Sequence, residues 1–391
     1  MSKKGKTLGL SQIVKNESHV ITRSLNSIKD IVDYITIVDT GSTDNTKEVI
    51  ENWCKEHNIP FDIYDKEFDN FENCRNYAMQ MSKDKTDYSF WLDADEQLVI
   101  DFSKFDKSKL DKDIYMFTTH IGSMKYTRNE CWSNKVDFKW YGPVHEFIVP
   151  LDKSKKLTSD IMPGFDVIVK MDGGSWKEDT HSKYRKHASA LEDYIDNEDR
   201  DPRWIFYTAQ SYHDSACIPN NEAENKERLR RSVKYYDERV KHAGGYHEER
   251  YYAQFRIGTI YMRLNRSWED TEKQLLKAYR IDPKRGESFK YIIEYYQNLG
   301  DWHMAYLYAK FAYETYHGVN LYPERVLFVD NTIYAWKFAD YYASACFYTG
   351  RKREASKVFK ELVNIMESNK QYFSQEDIQR IESNKKHFIQ N

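Results

Sequence analysis

Short apolar runs alternate with amphipathic stretches over the first hundred residues of the chain. Runs rich in β-branched and aromatic residues predict strands, and apolar residues at helical spacing predict helices between them. The predicted strands are residues 7–15, 34–39, 60–65 and 88–96. The predicted helices are residues 17–31, a segment beginning near residue 44, and residues 70–82. This alternation indicates an α/β domain with a mostly parallel sheet whose faces are covered.

The pattern changes twice further along the chain. Shorter β-like runs occupy residues 114–170, and we expect them to add strands and loops that close a pocket. Beyond a boundary near residue 180 the chain is helical, with paired helices recurring roughly every 40 residues. We therefore predict a catalytic α/β domain over residues 1–178 and an all-α helical-hairpin repeat domain over residues 179–391.

Small residues mark the predicted contacts within the helical hairpins. We expect paired helices to approach closely at Ala209, Gly258, Ala278, Ala305 and Ala355. Gly300 and Gly350 occupy equivalent turns, where each ends one helix before the next begins. This pattern resembles tetratricopeptide repeats with lengthened helices.

Polar residues follow three of the predicted strands. Asn16 and Glu17 come after the first strand, Asp39 ends the second, and Asp93 and Asp95 end the fourth. Ligands of parallel α/β sheets bind at the carboxyl ends of the strands, so we expect these side chains to converge.

The pair Asp93 and Asp95 suggests a bound cation. Two neighbouring carboxylates raise each other's pKa unless a cation lies between them. Hard divalent ions such as Mg²⁺ commonly bind one or two carboxylates together with substrate phosphates. The alternative is an exposed acidic loop without a ligand. We favour a complex of a divalent metal with the diphosphate of a nucleotide sugar. Arg75, on the preceding helix, either offsets that diphosphate or forms a structural ion pair.

Composition excludes several classes of protein. The hydrophobic fraction of 40% and charged fraction of 31% suit a globular protein, and the net charge of −3 gives no reason to expect nucleic acid as a partner. The five cysteines form no CxxC pair, which argues against a disulfide framework and a structural zinc site. The sequence shows neither a secretory signal nor a transmembrane segment. We expect a soluble, cytoplasmic protein.

Four motifs together carry a family resemblance. "SQIVKNES", "VDTGSTDNT", "FENCRNYAM" and "FWLDADE", in this order, resemble the family 2 glycosyltransferases of GT-A fold, a Rossmann-like α/β class. Weaker similarity continues through "WYGPVHEFI". The resemblance is to the branch with tetratricopeptide-like C-terminal helices. It implies inverting transfer from a nucleotide sugar, usually UDP-linked, to a hydroxyl of a glycan or protein acceptor, with Mn²⁺ or Mg²⁺. UDP-glucose, UDP-galactose and UDP-N-acetylglucosamine are the donors that it favours.

The resemblance also assigns roles to the residues of these motifs. Asn16, Glu17 and Asp39 would contact the nucleoside. Asp93 would contact the ribose or the metal, and Asp95 would bind the metal directly.

The "VHE" segment of the resemblance would approach the sugar. An inverting reaction needs a base that removes the proton of the acceptor hydroxyl, and Glu146 is our candidate. His145 is either the third metal ligand or an acceptor contact; alternatively, both residues are ordinary members of a loop. Family members often carry a metal-reaching histidine in an "HxG" segment, where this chain has "KMDGG". Asp172 and His181 therefore remain alternative third ligands.

Two other functional classes and two roles for the repeats stay open. The chain could be a binding protein whose α/β domain senses a nucleotide, although paired acids would then be unnecessary. A nucleotidyltransferase would need a Gly-rich loop after the first strand, which "IVKNES" does not provide. The helical repeats either receive a glycan or protein acceptor on their concave face, or support the structure and mediate a homodimer.

Overall fold

The computed structural model describes residues 5–122, 124–174, 179–197, 199–321 and 324–388. The chain forms two compact units, Met1–Arg200 and Asp201–Asn391. An α/β unit therefore precedes a helical unit, as the sequence predicts. The helix Thr180–Asn197 lies in the first unit, although it follows the boundary predicted near residue 180. The division of roles between residues 1–178 and 179–391 stays a prediction.

The first unit is built from strands β1–β10 and helices α1–α4. Its strands are β1 (Leu8–Val14), β2 (Tyr34–Asp39), β3 (Phe61–Asp65), β4 (Tyr88–Phe90), β5 (Glu96–Ile100), β6 (Ile114–Ile121), β7 (Met124–Ser133), β8 (Phe138–Tyr141), β9 (Phe147–Pro150) and β10 (Ser159–Val169). Its helices are α1 (Ile21–Ile28), α2 (Thr46–His57), α3 (Phe71–Ser82) and α4 (Thr180–Asn197).

One large sheet organises this unit, with the strand order β3-β2-β1-β4-β7-β6-β10-β5. The pairs β1–β2, β2–β3, β1–β4 and β6–β10 are parallel. The pairs β4–β7, β6–β7 and β5–β10 are antiparallel. The sheet is mostly parallel, as predicted, and its antiparallel pairs come from the β-like strands that follow residue 95.

The predicted strand over residues 88–96 is interrupted in the structure. β4 ends at Phe90, and β5 begins at Glu96. Between them the backbone N–H of Glu96 donates to the carbonyl of Asp93, and the backbone N–H of Asp93 donates to the Glu96 carboxylate, both at 3.0 Å. These reciprocal bonds close a turn, so Asp93 and Asp95 lie in a tight connection and not on a strand.

The parallel register places the polar strand ends side by side. Val14 of β1 is paired with Asp39 of β2, so the chain leaves both strands at the same edge of the sheet. Apolar side chains from β1 and β2, such as Leu10 and Ile37, are fully buried and fix the strands in that register. The predicted convergence of Asn16 and Asp39 follows from this pairing.

The second unit consists of helices that pair in sequence order. They are α5 (Pro202–Asp214), α6 (Glu222–Lys241), α7 (His247–Arg263), α8 (Trp268–Ile281), α9 (Glu287–Leu299), α10 (Trp302–Tyr316), α11 (Phe338–Tyr348), α12 (Lys352–Ser368) and α13 (Gln375–Phe388). Successive pairs α5–α6, α7–α8, α9–α10 and α11–α12 pack as hairpins. The helical-hairpin architecture is confirmed.

Small residues allow close packing in this unit. A Cβ added to Gly258 of α7 would lie 2.6 Å from Leu275 Cδ2 of α8, so a larger residue would have to displace the Leu275 side chain. Ala278, Ala305 and Ala355 are also buried at helix contacts, as predicted. Gly300 ends α9 in the left-handed conformation, with φ of 78°.

Buried arginines of the second unit are paired with carboxylates. Arg239 Nε lies 2.9 Å from Glu249 Oε2, and Arg285 Nη2 lies 2.7 Å from Glu287 Oε1. Such pairs compensate the cost of removing two charges from water. Of the five cysteines Cys217 is exposed, and the other four are buried. No helix among the described residues is long and apolar enough to cross a membrane.

Candidate active site

Asp39 forms the corner where β2 leaves the sheet. Its Oδ1 accepts hydrogen bonds from the backbone N–H groups of Gly41 (2.9 Å) and Ser42 (2.7 Å). Its side chain is buried, and Oδ2 has no hydrogen-bond partner among the described residues. A buried carboxylate oxygen without a donor is costly, so Oδ2 is an acceptor available to a ligand.

Asn16 holds the loop opposite Asp39. The residue has a left-handed backbone with φ of 57°, and asparagine tolerates this conformation better than most residues. Its Oδ1 accepts from the backbone N–H of Thr43 at 2.7 Å, and its own N–H donates to Ser42 Oγ at 3.0 Å. Asn16 therefore fixes the loop that follows β2.

Glu17 connects the end of β1 to the segment after β10. Its carboxylate accepts from the backbone N–H of Gly174, at 2.9 Å from Oε1 and 3.2 Å from Oε2. Its own backbone N–H donates to Thr46 Oγ1 at the start of α2. A Cβ at Gly174 would lie 3.0 Å from Glu17 Oε1. The glycine thus lets the carboxylate approach the backbone.

Asp93 accepts two side-chain hydrogen bonds through Oδ1. The donors are Trp91 Nε1 at 2.8 Å and Arg75 Nη2 at 3.4 Å. The Asp93 side chain is 35% exposed, so it remains accessible to a ligand.

Asp95 lies against the glycine pair at residues 173–174. A Cβ on Gly173 would approach Asp95 Cβ to 2.9 Å and Asp95 Cγ to 3.0 Å. The carbonyl of Asp95 accepts from the Lys170 N–H at 3.2 Å and from Arg23 Nη2 at 3.4 Å. The "DGG" segment therefore shapes the surroundings of the Asp95 carboxylate, a role that the sequence did not indicate.

Arg75 of α3 joins both sides of the site. Its Nε lies 2.9 Å from Glu146 Oε1, while its Nη2 contacts Asp93. The guanidinium lies over the rings of Trp91 and Trp140, with Cζ 4.3 and 4.7 Å from their centroids. Burial alone would lower the pKa of Arg75, but the charges of Glu146, Asp93 and Glu130 raise it above its ordinary value. The group therefore stays cationic.

Helix α3 also positions the loop that carries Glu146. The Asn76 side chain donates to the carbonyl of Trp140 at 2.9 Å and accepts from its N–H at 2.8 Å. Glu72 Oε2 accepts from the N–H of Gly142 at 3.0 Å. Glu72, Arg75 and Asn76 share one face of α3 at i, i+3 and i+4 spacing. Strands β8 and β9 pair antiparallel as a separate hairpin, and this helix face holds that hairpin.

A buried charge network lies behind Asp93, and sequence reasoning missed it. Arg128 Nη2 lies 2.7 Å from Glu96 Oε1, and Arg128 Nε lies 2.8 Å from Glu130 Oε1. Glu96 Oε2 in turn holds the Asp93 N–H. Alternate charged residues in "TRNEC", before a buried Cys131, were the available signal.

The environment of this network favours neutral carboxyl groups. Burial raises the pKa of Glu130 to about 8. The charges of Glu96 and Asp93 raise it further, and the lowering effect of Arg128 and Arg75 does not restore the ordinary value. Burial likewise raises the pKa of Glu96, against the lowering effect of Arg128. Glu130 Oε2 has no hydrogen-bond partner among the described residues. Strongly shifted groups of this kind concentrate at functional sites.

The candidates for a third metal ligand lie in different surroundings. His145 is exposed, with φ of 57°, and its ring centroid lies 6.1 Å from that of His187. Asp172 forms a bidentate pair with Arg23, at 2.8 and 2.6 Å. The backbone N–H of His181 donates to Asp179 Oδ1.

The donor set at Asp93 and Asp95 fits a hard divalent cation. Both provide carboxylate oxygens, the ligands that Mg²⁺ and Mn²⁺ accept beside substrate phosphates. In the part of the chain that the structure describes, no three His, Cys, Asp or Glu side chains form a metal-binding group. The remaining ligands would then come from substrate and water, and the assignment of His145 stays a prediction.

The chain is similar in sequence to one known family and to several known proteins. Residues 13–104 match the family described as Glycosyl transferase family 2. A TPR repeat-containing protein of Synechococcus elongatus is 30% identical over 148 residues, which are 36% of this chain and 35% of that protein. The SPbeta prophage-derived glycosyltransferase SunS of Bacillus subtilis is 25% identical over 246 residues, 59% of this chain and 54% of SunS. The chain thus spans about a third to a half of the length of these curated relatives.

A solved structure also resembles the chain at low identity. Residues 1–349 of S. aureus TarS, in complex with UDP-GlcNAc, align with 10% identity and a TM-score of 0.35. The alignment covers 70% of this chain and 91% of the TarS chain.

Proposed function

We propose that this chain, whose residues 13–104 form a family 2 glycosyltransferase domain, transfers a hexose from a UDP-sugar to a hydroxyl of a glycan or protein acceptor with inversion. One observation carries the proposal. Asn16 and Asp39 stand at the ends of adjacent parallel strands, and the Asp93–Asp95 turn follows β4, which pairs with β1 on its other side. The carboxyl ends of strands in such sheets are where nucleotides bind.

The nucleoside of the donor would bind at the first of these strand ends. Asp39 Oδ2 is buried and free to accept from the base or the ribose hydroxyls. Asn16 and Glu17 hold the surrounding loops and would add contacts of their own.

The diphosphate would lie near the turn between β4 and β5. Asp95 would bind Mn²⁺ or Mg²⁺ directly, with Asp93 on the ion or the ribose and His145 as a third ligand. A bound divalent cation neutralises charge on the departing diphosphate. Arg75 contacts Asp93 from the protein side and adds a fixed positive charge beside the leaving group.

Proton transfer would fall to Glu146. Its carboxylate would accept the proton of the acceptor hydroxyl as that oxygen bonds to the anomeric carbon and the bond to the diphosphate breaks. The Glu146 side chain is 6% exposed and is held by Arg75, so its position is fixed before the acceptor arrives.

The helical repeats would bind the acceptor. The protein would be cytoplasmic. The helical unit exposes aromatic side chains, such as Phe311 and Tyr348, which suit contacts with a glycan or a protein chain. A homodimer formed through the same repeats is the competing proposal for this unit.

The metal assignment is tested by a donor screen. Purified protein with Mn²⁺ is given UDP-glucose, UDP-galactose, UDP-N-acetylglucosamine and a GDP-sugar, and nucleotide release is measured. We expect one UDP-sugar to be turned over, and Asp95→Ala to lower kcat/KM by about 10²–10³-fold, as when a stabilising contact to developing charge is lost.

A matched control keeps this experiment specific. Asp65 ends the neighbouring strand β3, is exposed and pairs only with Lys47 in the described structure. Asp65→Asn should leave turnover unchanged. Undiminished activity in Asp95→Ala, with folding intact, would contradict the metal site.

A further inference from the structure

Three charged or polar side chains converge between α5 and α7 of the helical unit. His213 lies in the last turn of α5, and Arg256 and Arg263 lie seven residues apart on α7, so both face the same way. With Tyr236 of α6 we call these residues the His213 cluster. All four belong to one compact unit, and none of them belongs to the proposed transferase site.

The hydrogen bonds of His213 leave one acceptor for two cations. His213 Nδ1 lies 2.7 Å from Asp214 Oδ1 and also 2.7 Å from Arg256 Nη2. The carboxylate is the acceptor of the two, which assigns the proton to Nδ1 and leaves Arg256 no lone pair there. Nε2 is then the acceptor. Arg263 Nη1 lies 2.9 Å from Nε2, and Arg256 Nη2 also contacts Nε2. A single lone pair cannot satisfy both guanidinium groups.

The cluster carries unbalanced positive charge. Among the residues that the structure describes, no carboxylate oxygen lies within 4.0 Å of Arg256 or Arg263. Burial lowers the pKa of His213, and the neighbouring arginines lower it further, so the imidazole is neutral. Asp214 offsets part of the charge through its contact with His213 Nδ1.

Two fully buried arginines of the same unit differ in this respect. Arg239 is paired with Glu249, and Arg285 with Glu248 and Glu287. At both of these arginines the unit supplies a carboxylate beside the buried guanidinium. The His213 cluster brings two guanidinium groups onto one imidazole with no carboxylate of the described residues in contact with either, and an anion that joined them would offset their mutual repulsion.

A purely structural role accounts for only part of the cluster. Arg263 Nη2 donates to the carbonyl of Ala216 at 2.6 Å, and a cation near the C-terminus of α5 is favourable. That explains Arg263 but not Arg256. The hydroxyl of Tyr236 is buried beside Arg256 and has no other partner in the described structure. Burial raises the pKa of Tyr236 well above its ordinary value, and Arg256 lowers it. A ligand oxygen would give this hydroxyl a further partner.

We propose that the His213 cluster is a binding site for a carboxylate or phosphate group. Arg256 and Arg263 would bind its oxygens through their guanidinium N–H groups, and Tyr236 would donate a further hydrogen bond. Arg263 is exposed, and the His213 side chain retains 15% exposure, so a ligand can reach the cluster from solvent. The site is independent of the proposed transfer reaction.

Calorimetric titration of the full chain at low ionic strength tests this site, because added salt would screen the interaction. Inorganic phosphate and glutarate are titrated separately, so that the two sources of oxyanion are distinguished. We expect one of them to bind, and Arg263→Gln and Arg256→Met each to weaken that binding about tenfold or more, since a hydrogen bond to a charged group is lost.

Arg266→Gln is the matched control. Arg266 lies just beyond α7, is exposed and stacks on Tyr261 without contacting His213. The Arg266→Gln variant should bind the oxyanion probe with the same affinity as the unaltered chain. Thermal melting of each variant checks folding, and Arg263→Gln alone decides the outcome if Arg256→Met unfolds. Absence of binding to both probes, or equal affinity in the arginine variants and the control, would overturn the proposal.

Discussion

Arg75 shows how a single residue can serve two sides of a site. It forms ion pairs with Glu146 on the β8–β9 hairpin and with Asp93 in the turn after β4, and it lies over the rings of two tryptophans. The sequence left open whether Arg75 offsets a diphosphate or forms a structural ion pair. The structure contains the ion pairs, and a diphosphate contact would have to share the same guanidinium.

Glu146→Gln separates donor binding from proton transfer. The amide keeps the shape of the side chain but cannot accept the proton, so transfer to an acceptor should fall by about 10²–10⁴-fold. The Kd for the UDP-sugar should stay nearly unchanged in a binding titration. Glu51→Gln, on the exposed face of α2, is the control. Unchanged transfer would move the base elsewhere, and equal loss of donor affinity would show a structural role.

Glu130→Gln tests the buried network through the pH dependence of stability. The folded-state pKa of Glu130 is about 8, above its ordinary 4.5, so the folded state holds this proton more tightly than the unfolded state. Its stabilising contribution is therefore complete below about pH 4.5 and is lost as the pH rises through 8.

The measurement is a series of thermal melts between pH 5 and 8.5. The Tm of the unaltered chain minus that of Glu130→Gln should decrease steadily with pH, because the other groups contribute equally to both. A difference that stays constant or increases with pH would show that Glu130 is ionised throughout.

Sequence reasoning identified strand-end residues more readily than buried partners. Asp39, Asp93 and Asp95 follow apolar runs and are visible as changes of pattern. Arg128 and Glu130 lie within a strand, and their pairing with Glu96 depends on β7 lying beside β4 and β6. That arrangement of strands is set by tertiary packing, so the sequence did not reveal the network.

At the level of elements, the glycine pair after β10 leaves room for the side chains of Asp95 and Glu17. The sequence offered Asp172 of "KMDGG" as a metal ligand, but in the structure Arg23 holds that carboxylate. Gly173 and Gly174 instead lie against Asp95 and Glu17. Absence of a side chain is hard to interpret from one sequence, because glycine also occurs in ordinary turns.

Gly173→Ala should therefore impair the site without unfolding the chain. The added Cβ would meet Asp95 at 2.9–3.0 Å and displace its carboxylate. A shift of about 1 Å at a reacting group can cost 10²-fold in rate, so kcat/KM for nucleotide release should fall by up to that factor. Gly5→Ala, whose Cβ meets neighbours only at 3.8–3.9 Å, should be neutral. Equal activity of the two variants would show that the Asp95 side chain moves freely.

The helical elements were the most predictable part of the fold. Apolar residues at helical spacing, glycines at turns and small residues at contacts all indicate the same hairpins, and α5–α12 follow them. The start of the repeat region was less clear, because α4 carries a helical pattern but lies in the first compact unit. Which unit a surface helix joins depends on contacts that periodicity alone does not encode.

At the scale of the molecule, the chain divides into two units with separate hydrophobic cores. Leu10 and Phe117 belong to cores of the first unit, and Ile292 and Phe338 to the core of the second. The family match lies wholly in the first unit, which confirms the resemblance inferred from the motifs. The two units can therefore be tested apart.

A chain of residues 1–200 should fold and release nucleotide from the donor but transfer little sugar to glycan or peptide acceptors. It retains the proposed donor site and lacks the repeats. A chain ending at residue 178 is the comparison, since it also loses α4 and the hydrogen bond from Tyr141 to Asp199. We expect that shorter chain to melt at a lower temperature. Full acceptor transfer by residues 1–200 would instead assign the repeats a supporting or dimerising role.

The exposed thiol of Cys217 allows the helical unit to be labelled and followed by fluorescence. Burial raises the pKa of Cys54 and Cys346 to about 12 and also raises that of Cys74 and Cys131, so these thiols react slowly. Cys217 is exposed and adjoins Ala216, whose carbonyl binds Arg263. A maleimide fluorophore should thus attach at one position of the natural sequence, and its emission would report occupancy beside α7 in real time.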